Sequence, residues 1–437
     1  MNLEEKLRQL EKAAKTSVRD RELERQLEYL RRLEESPKKL PAQRAPRSVE
    51  EYVDGRVEAN DWGEFFLAQQ TLPFGRPYGG CRVGDFSTAD LSPLSVLFNG
   101  IPIPEPSKLV YLDTETTGLA GGTGTCAFLI GIAAAQGSQF VVQQFFLRDY
   151  PEEKATLAAL AEVLGRYQSV VTFNGKTFDI PLLETRYALA RLKSPFSRMT
   201  HLDLLHPSRR LWKLRLLSCE LTHLEKEVLG IGREGDVAGS EIPGIYFDYL
   251  RTGNAQRLQP VFYHNALDVV TLAALAVEMA RTISDAGGEK AIDSLDLFSL
   301  SRIFDRARAT EKSVATCKQA LTAGLPETVE TRALWHLASQ HKRSRQHQHA
   351  VELWKSLVAR EDSYAVKALE ELAIHYEHRE RNVGTAMEYT MAAIARWREA
   401  SASALPLKRL SHRLERLRQK SARAGTPGGP RELLTRD

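Results

Sequence analysis

The spacing of apolar positions changes repeatedly along the chain, and each change marks a different kind of element. Residues 1–36 set Leu3, Leu7, Leu10, Leu27, Leu30 and Leu33 among dense charges, which predicts an amphipathic helix that ends near Pro37. From Pro41 to Pro106 the period is lost among Pro, Gly and aromatic residues, and the stretch GEFFLAQQTLPFGRPYGG predicts a short strand and turns packed as an N-terminal extension. Three strand-like runs follow within 108–150, KLVYLDTE, CAFLIGIAAA and QFVVQQFFL, separated by glycine-rich turns. They predict antiparallel strands joined by hairpins. Residues 153–166 then read as a helix, SVVTFN as a buried strand and IPLLETRYALARL as a second helix. Segments 218–229 and 262–283 predict two more helices, the second apolar enough to lie against a sheet. The fold class expected is an α/β domain, a mixed sheet flanked by helices, followed by an all-α domain.

After Gly287 and Gly288 the pattern is helical throughout, and it repeats. The run Ala333-Leu-Trp-His-Leu-Ala338 returns as Ala368-Leu-Glu-Glu-Leu-Ala373, and Ala315, Ala350 and Ala386 are spaced so that each falls on the second helix of a pair. Three helix pairs of tetratricopeptide-type length are predicted over 296–397, with a basic helix at 405–423 behind them. The expected division is an N-terminal helix at 1–40, an irregular extension at 41–106, the α/β domain at 107–284, the helical repeats at 292–422 and a flexible tail at 423–437.

Composition adds boundaries to this picture. The 437 residues are 43% hydrophobic and 27% charged, which is globular and excludes wholesale disorder. No apolar run is long enough for a membrane helix and the N-terminus is charged from its fourth residue, so a cytoplasmic protein without a membrane partner is expected. Cys81, Cys126, Cys219 and Cys317 are too scattered for a zinc ribbon or disulfide framework. Net charge is +4, but residues 301–437 carry 25 Lys/Arg against 16 Asp/Glu. The basic surplus therefore lies in the helical repeats, as suits contact with phosphates.

The candidate chemistry lies in LVYLDTETTGL. Asp113 and Glu115 stand two apart at a strand end, so both carboxylates project to one face. Two anions so placed repel unless a cation holds them, and oxygen ligands suit Mg²⁺ or Mn²⁺. A second strand runs into Asn174 and then Asp179, and Asp268 lies on the apolar helix FYHNALDVVTL, where its burial must be offset by a metal, a partner or a proton. Four carboxylates from two strand ends and two helices can cradle two divalent ions, about 3.5–4 Å apart, in phosphodiester hydrolysis. Lys176 is a candidate phosphate contact. Asp203 reads as a loop or capping residue, and Gly121 to Thr125 as a flexible hairpin turn.

The order of these motifs resembles the DEDD 3′–5′ exonucleases of the ribonuclease-H-like fold. Their first motif is matched by Asp113, Glu115 and the run Thr116-Thr117-Gly118-Leu119, their second by Asn174, Phe178 and Asp179, and their third by Asp268 preceded by Tyr263-His264. With the repeats behind it, the chain is similar to the YprB-like group. The resemblance implies a nucleic-acid-binding, exonucleolytic protein in which the four acidic residues hold two ions, and Thr116, Thr117, Gly118, Leu119, Asn174, Lys176 and Phe178 meet the substrate. One feature departs from it. The exonuclease branches place either a Tyr four residues or a His five residues before the last Asp, whereas here Tyr263 is five before and His264 four before. At i−4, His264 shares a helical face with Asp268 and is the expected general base, with Tyr263 the second candidate.

The leading expectation is a two-metal 3′–5′ exonuclease acting on single-stranded or 3′-terminal DNA or RNA. Its rival is a non-catalytic nucleic-acid-binding adaptor whose helical repeats recruit a protein partner.

Overall fold

The computed structural model describes residues 48–118, 124–286, 292–360, 362–399 and 404–424. The predicted N-terminal helix and C-terminal tail, most of the Gly121 to Thr125 turn, and Leu119 lie outside these residues. The chain divides into two units, Met1–Ser284 and Asp285–Asp437.

The first unit is built on a seven-stranded sheet. Its strands are β1 (Gly55–Asn60), β2 (Gly63–Pro73), β5 (Leu109–Thr116), β6 (Ala127–Gln136), β7 (Gln139–Phe146), β8 (Ser169–Thr172) and β9 (Thr200–Asp203), in the order β1-β2-β7-β6-β5-β8-β9. A separate small hairpin pairs β3 (Pro77–Tyr78) with β4 (Cys81–Arg82). The β5-β6-β7 meander is antiparallel, while β8 joins β5, and β9 joins β8, in parallel, so the sheet is mixed.

Helices cover both faces. Val110 and Leu112 of β5 pack with Leu157, Leu160 and Leu164 of α1 (Glu153–Leu164) and with Ile180 and Leu183 of α2 (Asp179–Leu189). Two shorter helices follow, α3 (Leu205–Trp212) and α4 (Ile242–Thr252). The opposite face carries Phe128 and Phe146 against Tyr246 of α4 and against Val261 and Phe262 of α5 (Gln259–Ser284). The α5 stretch from Val269 to Val277 is buried on every side of the helix, as suits a sequence apolar but for Thr271. Alternation along β5 therefore sends Val110 and Leu112 toward α1, and Asp113 and Glu115 toward α5.

Four segments differ from expectation. Residues 55–73, expected to be mostly irregular, form β1 and β2 and extend the sheet beyond β7. Phe65, Phe66, Leu67 and Ala68 are all buried, so β2 is covered on both faces and lacks the alternation that betrays a strand. The segment 218–229 is a helical turn, Leu221–Leu224, that widens into a π turn, Glu225–Leu229. Helices α3 and α4 were not anticipated, being short and interrupted by Pro207 and Pro243 near their starts.

The second unit is all-helical: α6 (Ser294–Arg306), α7 (Thr310–Thr322), α8 (Glu327–Arg343), α9 (His347–Val358), α10 (Ser363–His378), α11 (Val383–Glu399) and α12 (Ala404–Ala424). Each helix packs on the next, giving three pairs and a closing helix. The repeated Ala333 and Ala338 of α8, and Ala368 and Ala373 of α10, are fully buried where helices meet. Of the predicted second-helix alanines, Ala350 and Ala386 are buried but Ala315 is exposed. Ser313 of α7 takes the close-contact position instead, its hydroxyl donating to the Ser301 carbonyl at 2.5 Å. A serine that satisfies its own hydroxyl fits where only a small side chain does, which the alanine spacing did not reveal.

Candidate metal centre

The end of β5 is shaped by its neighbours. After four buried residues, Leu109 to Leu112, the strand delivers Asp113 and Glu115, and the β5–β6 register shifts by one residue between Glu115 and Thr116. A bulge at this point re-aims the side chains beyond it. Asp113 pairs in register with Gly131 of β6. A β-carbon at Gly131 would lie 2.1 Å from Asn265 Oδ1 of α5, so only glycine admits this helix so close to the sheet. The buried Asn265 amide is held at both ends, accepting from Gln144 Nε2 at 3.0 Å and donating to Asp113 Oδ2 at 3.1 Å.

Asp179 opens α2, and Thr114 Oγ1 donates to its Oδ1 at 2.5 Å. The loop before it turns through Asn174, whose φ of 66° lies in the left-handed region that Asn tolerates. Asp203 at the end of β9 secures this loop by accepting from the backbone N–H groups of Asn174 (2.8 Å), Lys176 (3.0 Å) and Leu205 (3.0 Å). It is a capping residue here, as its sequence position suggested. The Lys176 and Phe178 side chains are exposed beside Asp179. Thr116, Thr117 and Gly118 are half-buried, and Thr117 Oγ1 accepts from the Cys126 N–H at 3.0 Å, tying the strand end back to β6.

Helix α5 brings the remaining groups. His264 Nε2 lies 3.5 Å from Asp268 Oδ2 one turn on, and 3.9 Å from Glu115 Oε1 across the interface with β5. Its Nδ1 faces Asp236, 2.9 Å from Oδ1. Tyr263 is turned outward and 42% exposed, as a residue five before Asp268 must be on a helix of 3.6 residues per turn. Arg233 closes the back of the site. Its guanidinium pairs with Asp268, with Asp236 at 3.0 Å, and with the buried Glu225 through Nε at 2.6 Å. Glu225 also accepts from Thr271 Oγ1, which meets the Tyr78 hydroxyl at 2.8 Å.

Burial, with repulsion between neighbouring carboxylates, makes the acids of the site harder to ionise. Asp113 is pushed well above the usual carboxylate range by burial, then by Asp268, Asp179 and Glu115. Burial lifts Glu115 to about 8, with His264 pulling against it and Asp268 adding to it. Asp179 is raised to about 6 by burial, with the Thr114 hydroxyl opposing the rise. Asp268 is raised by burial against the pull of His264 and Arg233. Burial disfavours the charged His264 ring, but Asp268, Glu115 and Asp236 outweigh it and raise its pKa. Asp236 moves the other way: burial opposes its charge, while Arg233 and His264 hold it low.

Buried carboxyl groups that resist ionisation are the kind of donors whose charge a hard divalent cation would relieve. Among the described residues the ligating atoms of Glu115, His264 and Asp268 lie within 4.8 Å of one another, close enough to share an ion. Asn265, Arg233, Asp236 and Glu225 escaped the sequence reading. Asn265 sits within the third motif as an ordinary polar residue, and the run GREGD reads as a solvated turn until the fold brings it behind α5.

A family model of the RNase_H superfamily matches residues 110–280, the span that contains Asp113, Glu115, Asp179, His264 and Asp268. The chain is also similar to the uncharacterized protein YprB of Bacillus subtilis (strain 168), with 31% identity over 320 residues, covering 72% of this chain and 75% of the relative. The match is longer than the sheet domain itself and extends beyond the RNase_H-superfamily span. No helix among the described residues is long and apolar enough to cross a membrane. With its mixed sheet, its convergent carboxylates and its trailing helices, the chain belongs to the YprB family and carries an RNase_H-superfamily domain.

Proposed function

We propose that the protein is a two-metal-dependent nuclease that hydrolyses phosphodiesters of single-stranded DNA or RNA from the 3′ end. The observation that carries this reading is the convergence of Asp113, Glu115, Asp179 and Asp268, with His264 Nε2 facing Glu115 and Asp268. These four acids would hold Mg²⁺ or Mn²⁺, which neutralises phosphate charge and makes water acidic enough to attack. His264 Nε2 would take a proton from the attacking water, since Asp236 occupies Nδ1. Asp236 positions the ring and favours its protonated form, and Arg233 keeps both Asp236 and Asp268 in place. Asn265 orients Asp113. Lys176 and Phe178 stand exposed at the rim beside Asp179, a cation for a phosphate and a ring for the terminal base. The 3′–5′ direction rests on the resemblance of the three motifs to the DEDD exonucleases. A non-catalytic adaptor would have no use for four buried carboxyl groups that destabilise one another.

The test is degradation of 3′- and 5′-end-labelled single strands of DNA and RNA with Mg²⁺ or Mn²⁺. Stepwise shortening from the 3′ end, abolished in Asp113→Ala and reduced at least about 100-fold in His264→Ala, is expected. Intact strands under both metals would overturn the proposal.

A further inference from the structure

The helical unit has a groove that the site above does not use. It encloses about 300 Å³ and is lined by the first helix of each pair, through Phe298 and Arg302 of α6, Arg332 and Trp335 of α8 and Tyr364 of α10. The one carboxylate in its wall, Asp305, is already paired with Arg343 at 2.5 Å. Among the described residues, Arg302 and Arg332 have no carboxylate partner, although both are half-buried. Burial, then the nearby Arg332 and Arg306, lowers the Arg302 pKa, as befits cations gathered without an anion. The aromatic faces alternate with these charges. Arg302 lies 6.0 Å from the Phe298 ring centre, the Trp335 and Tyr364 rings are 5.9 Å apart, and Lys367 sits 4.4 Å over Tyr364.

We infer that this groove is a second binding site for single-stranded nucleic acid, in which Arg302 and Arg332 take backbone phosphates and Trp335 and Tyr364 take bases. Unpaired guanidiniums beside flat rings are what a strand needs, since phosphates want cations and every base has a face to stack. An acidic peptide is the competing occupant. It would pair with the two cations but would give the Trp335 and Tyr364 rings no base to stack. Tethering favours the strand too: α5 ends at Ser284 and α6 begins at Ser294, so a strand held in the groove is kept at high local concentration around the nuclease unit. This last argument rests on the function proposed above.

The experiment measures binding without cleavage: fluorescence anisotropy of labelled oligothymidylate and oligouridylate with the full chain in EDTA. The double variant Arg302→Glu/Arg332→Glu is expected to weaken binding at least about tenfold and to flatten the salt dependence by about two phosphate contacts. Trp335→Ala is expected to weaken it about fivefold or more. Arg418→Glu, which reverses one charge at an exposed position of α12 where the double variant reverses two, should leave affinity within about twofold. Circular dichroism establishes that each variant is folded. Unchanged affinity in the folded double variant would overturn the inference, as would an equal loss in Arg418→Glu, which would mark general basicity instead of a groove. Binding of a polyglutamate peptide that depends on Arg302 and Arg332, with oligonucleotide affinity unaffected, would overturn it in favour of a protein partner. Cleavage is scored separately with Mn²⁺, so a chain that binds strands through the groove but never cuts them counts against the nuclease alone.

Discussion

Gly131 faces Asn265 across a gap too narrow for any β-carbon, and the seating of α5 against β5 depends on it. Gly131→Ala is expected to push α5 away from Asp113, costing about 1–3 kcal/mol by overpacking and weakening divalent-metal affinity with it. Thermal unfolding with and without Mn²⁺ checks this, and an unshifted midpoint with undiminished stabilisation by the metal would contradict it. Asp236 acts through His264. Asp236→Asn keeps a hydrogen-bonding group but removes the charge, and a fall in kcat of about 10- to 100-fold with little change in KM is expected. A changed KM with unchanged kcat would show that Asp236 serves the substrate instead. The ionisation of the acids has a further consequence in the metal-free chain. Glu115 and Asp179 titrate higher folded than unfolded, so the native state holds more protons, and stability falls as pH rises from about 4 toward 8. Each such group costs at most about 1.4 kcal/mol per pH unit within its window. Denaturant melts in EDTA should show this decline and Mn²⁺ should reverse it at pH 8, whereas metal-free stability that rises over that range would refute it. Asp113 and Glu115 stood out in the sequence because they end an apolar strand, and Asp268 because it lies within an apolar helix, where a charge needs a reason. Asn265, Asp236 and Arg233 were not, because their partners come from other segments and no local pattern marks them.

At the scale of elements, strands and helices were readable as long apolar runs bounded by turns and unreadable where the element was short. The meander β5-β6-β7 and helices α1, α2 and α5 stand out as such runs, β2 was foreseen only as a short strand, and α3 and α4 are brief. The closing helix α12 shows how a basic segment can be structural. The side chain of Glu377 on α10 is fully enclosed and receives Arg413 at 2.8 Å, Arg416 at 2.8 Å and Lys420 at 2.5 Å, all from α12. Burial works against its charge, but Lys420 and Arg416 prevail and bring its pKa down to about 2. Part of the C-terminal basic surplus is thus spent inside the fold and is not available to phosphates. Glu377→Gln leaves these cations without an anion and is expected to detach α12 at a cost of about 2–3 kcal/mol. The depressed pKa means that this contribution is present above the unfolded carboxylate pKa and is lost as pH falls below it toward 2. Amide hydrogen exchange on α12 reads both effects, and wild-type protection of α12 in Glu377→Gln would show the cluster to be dispensable.

The whole chain joins a sheet domain with clustered buried acids to a helical unit with a groove lined by arginines and aromatic rings. The fold class was legible because three carboxylate motifs occur in order on predicted strand ends and helices, and because the helical repeat is visible as recurring Ala and Leu positions. The division of labour within the helical unit was not legible, since Arg302 and Arg413 look alike in sequence and only packing decides that one is free and the other consumed. The central claim, that four acids from β5, α2 and α5 form one metal centre, is tested most directly by anomalous scattering from crystals grown with Mn²⁺ and a 3′-terminal nucleotide. Two Mn²⁺ peaks ligated by Asp113, Glu115, Asp179 and Asp268 are expected, with the nucleotide's phosphate against them and His264 alongside. Mn²⁺ absent from these carboxylates, with the nucleotide bound elsewhere, would contradict it.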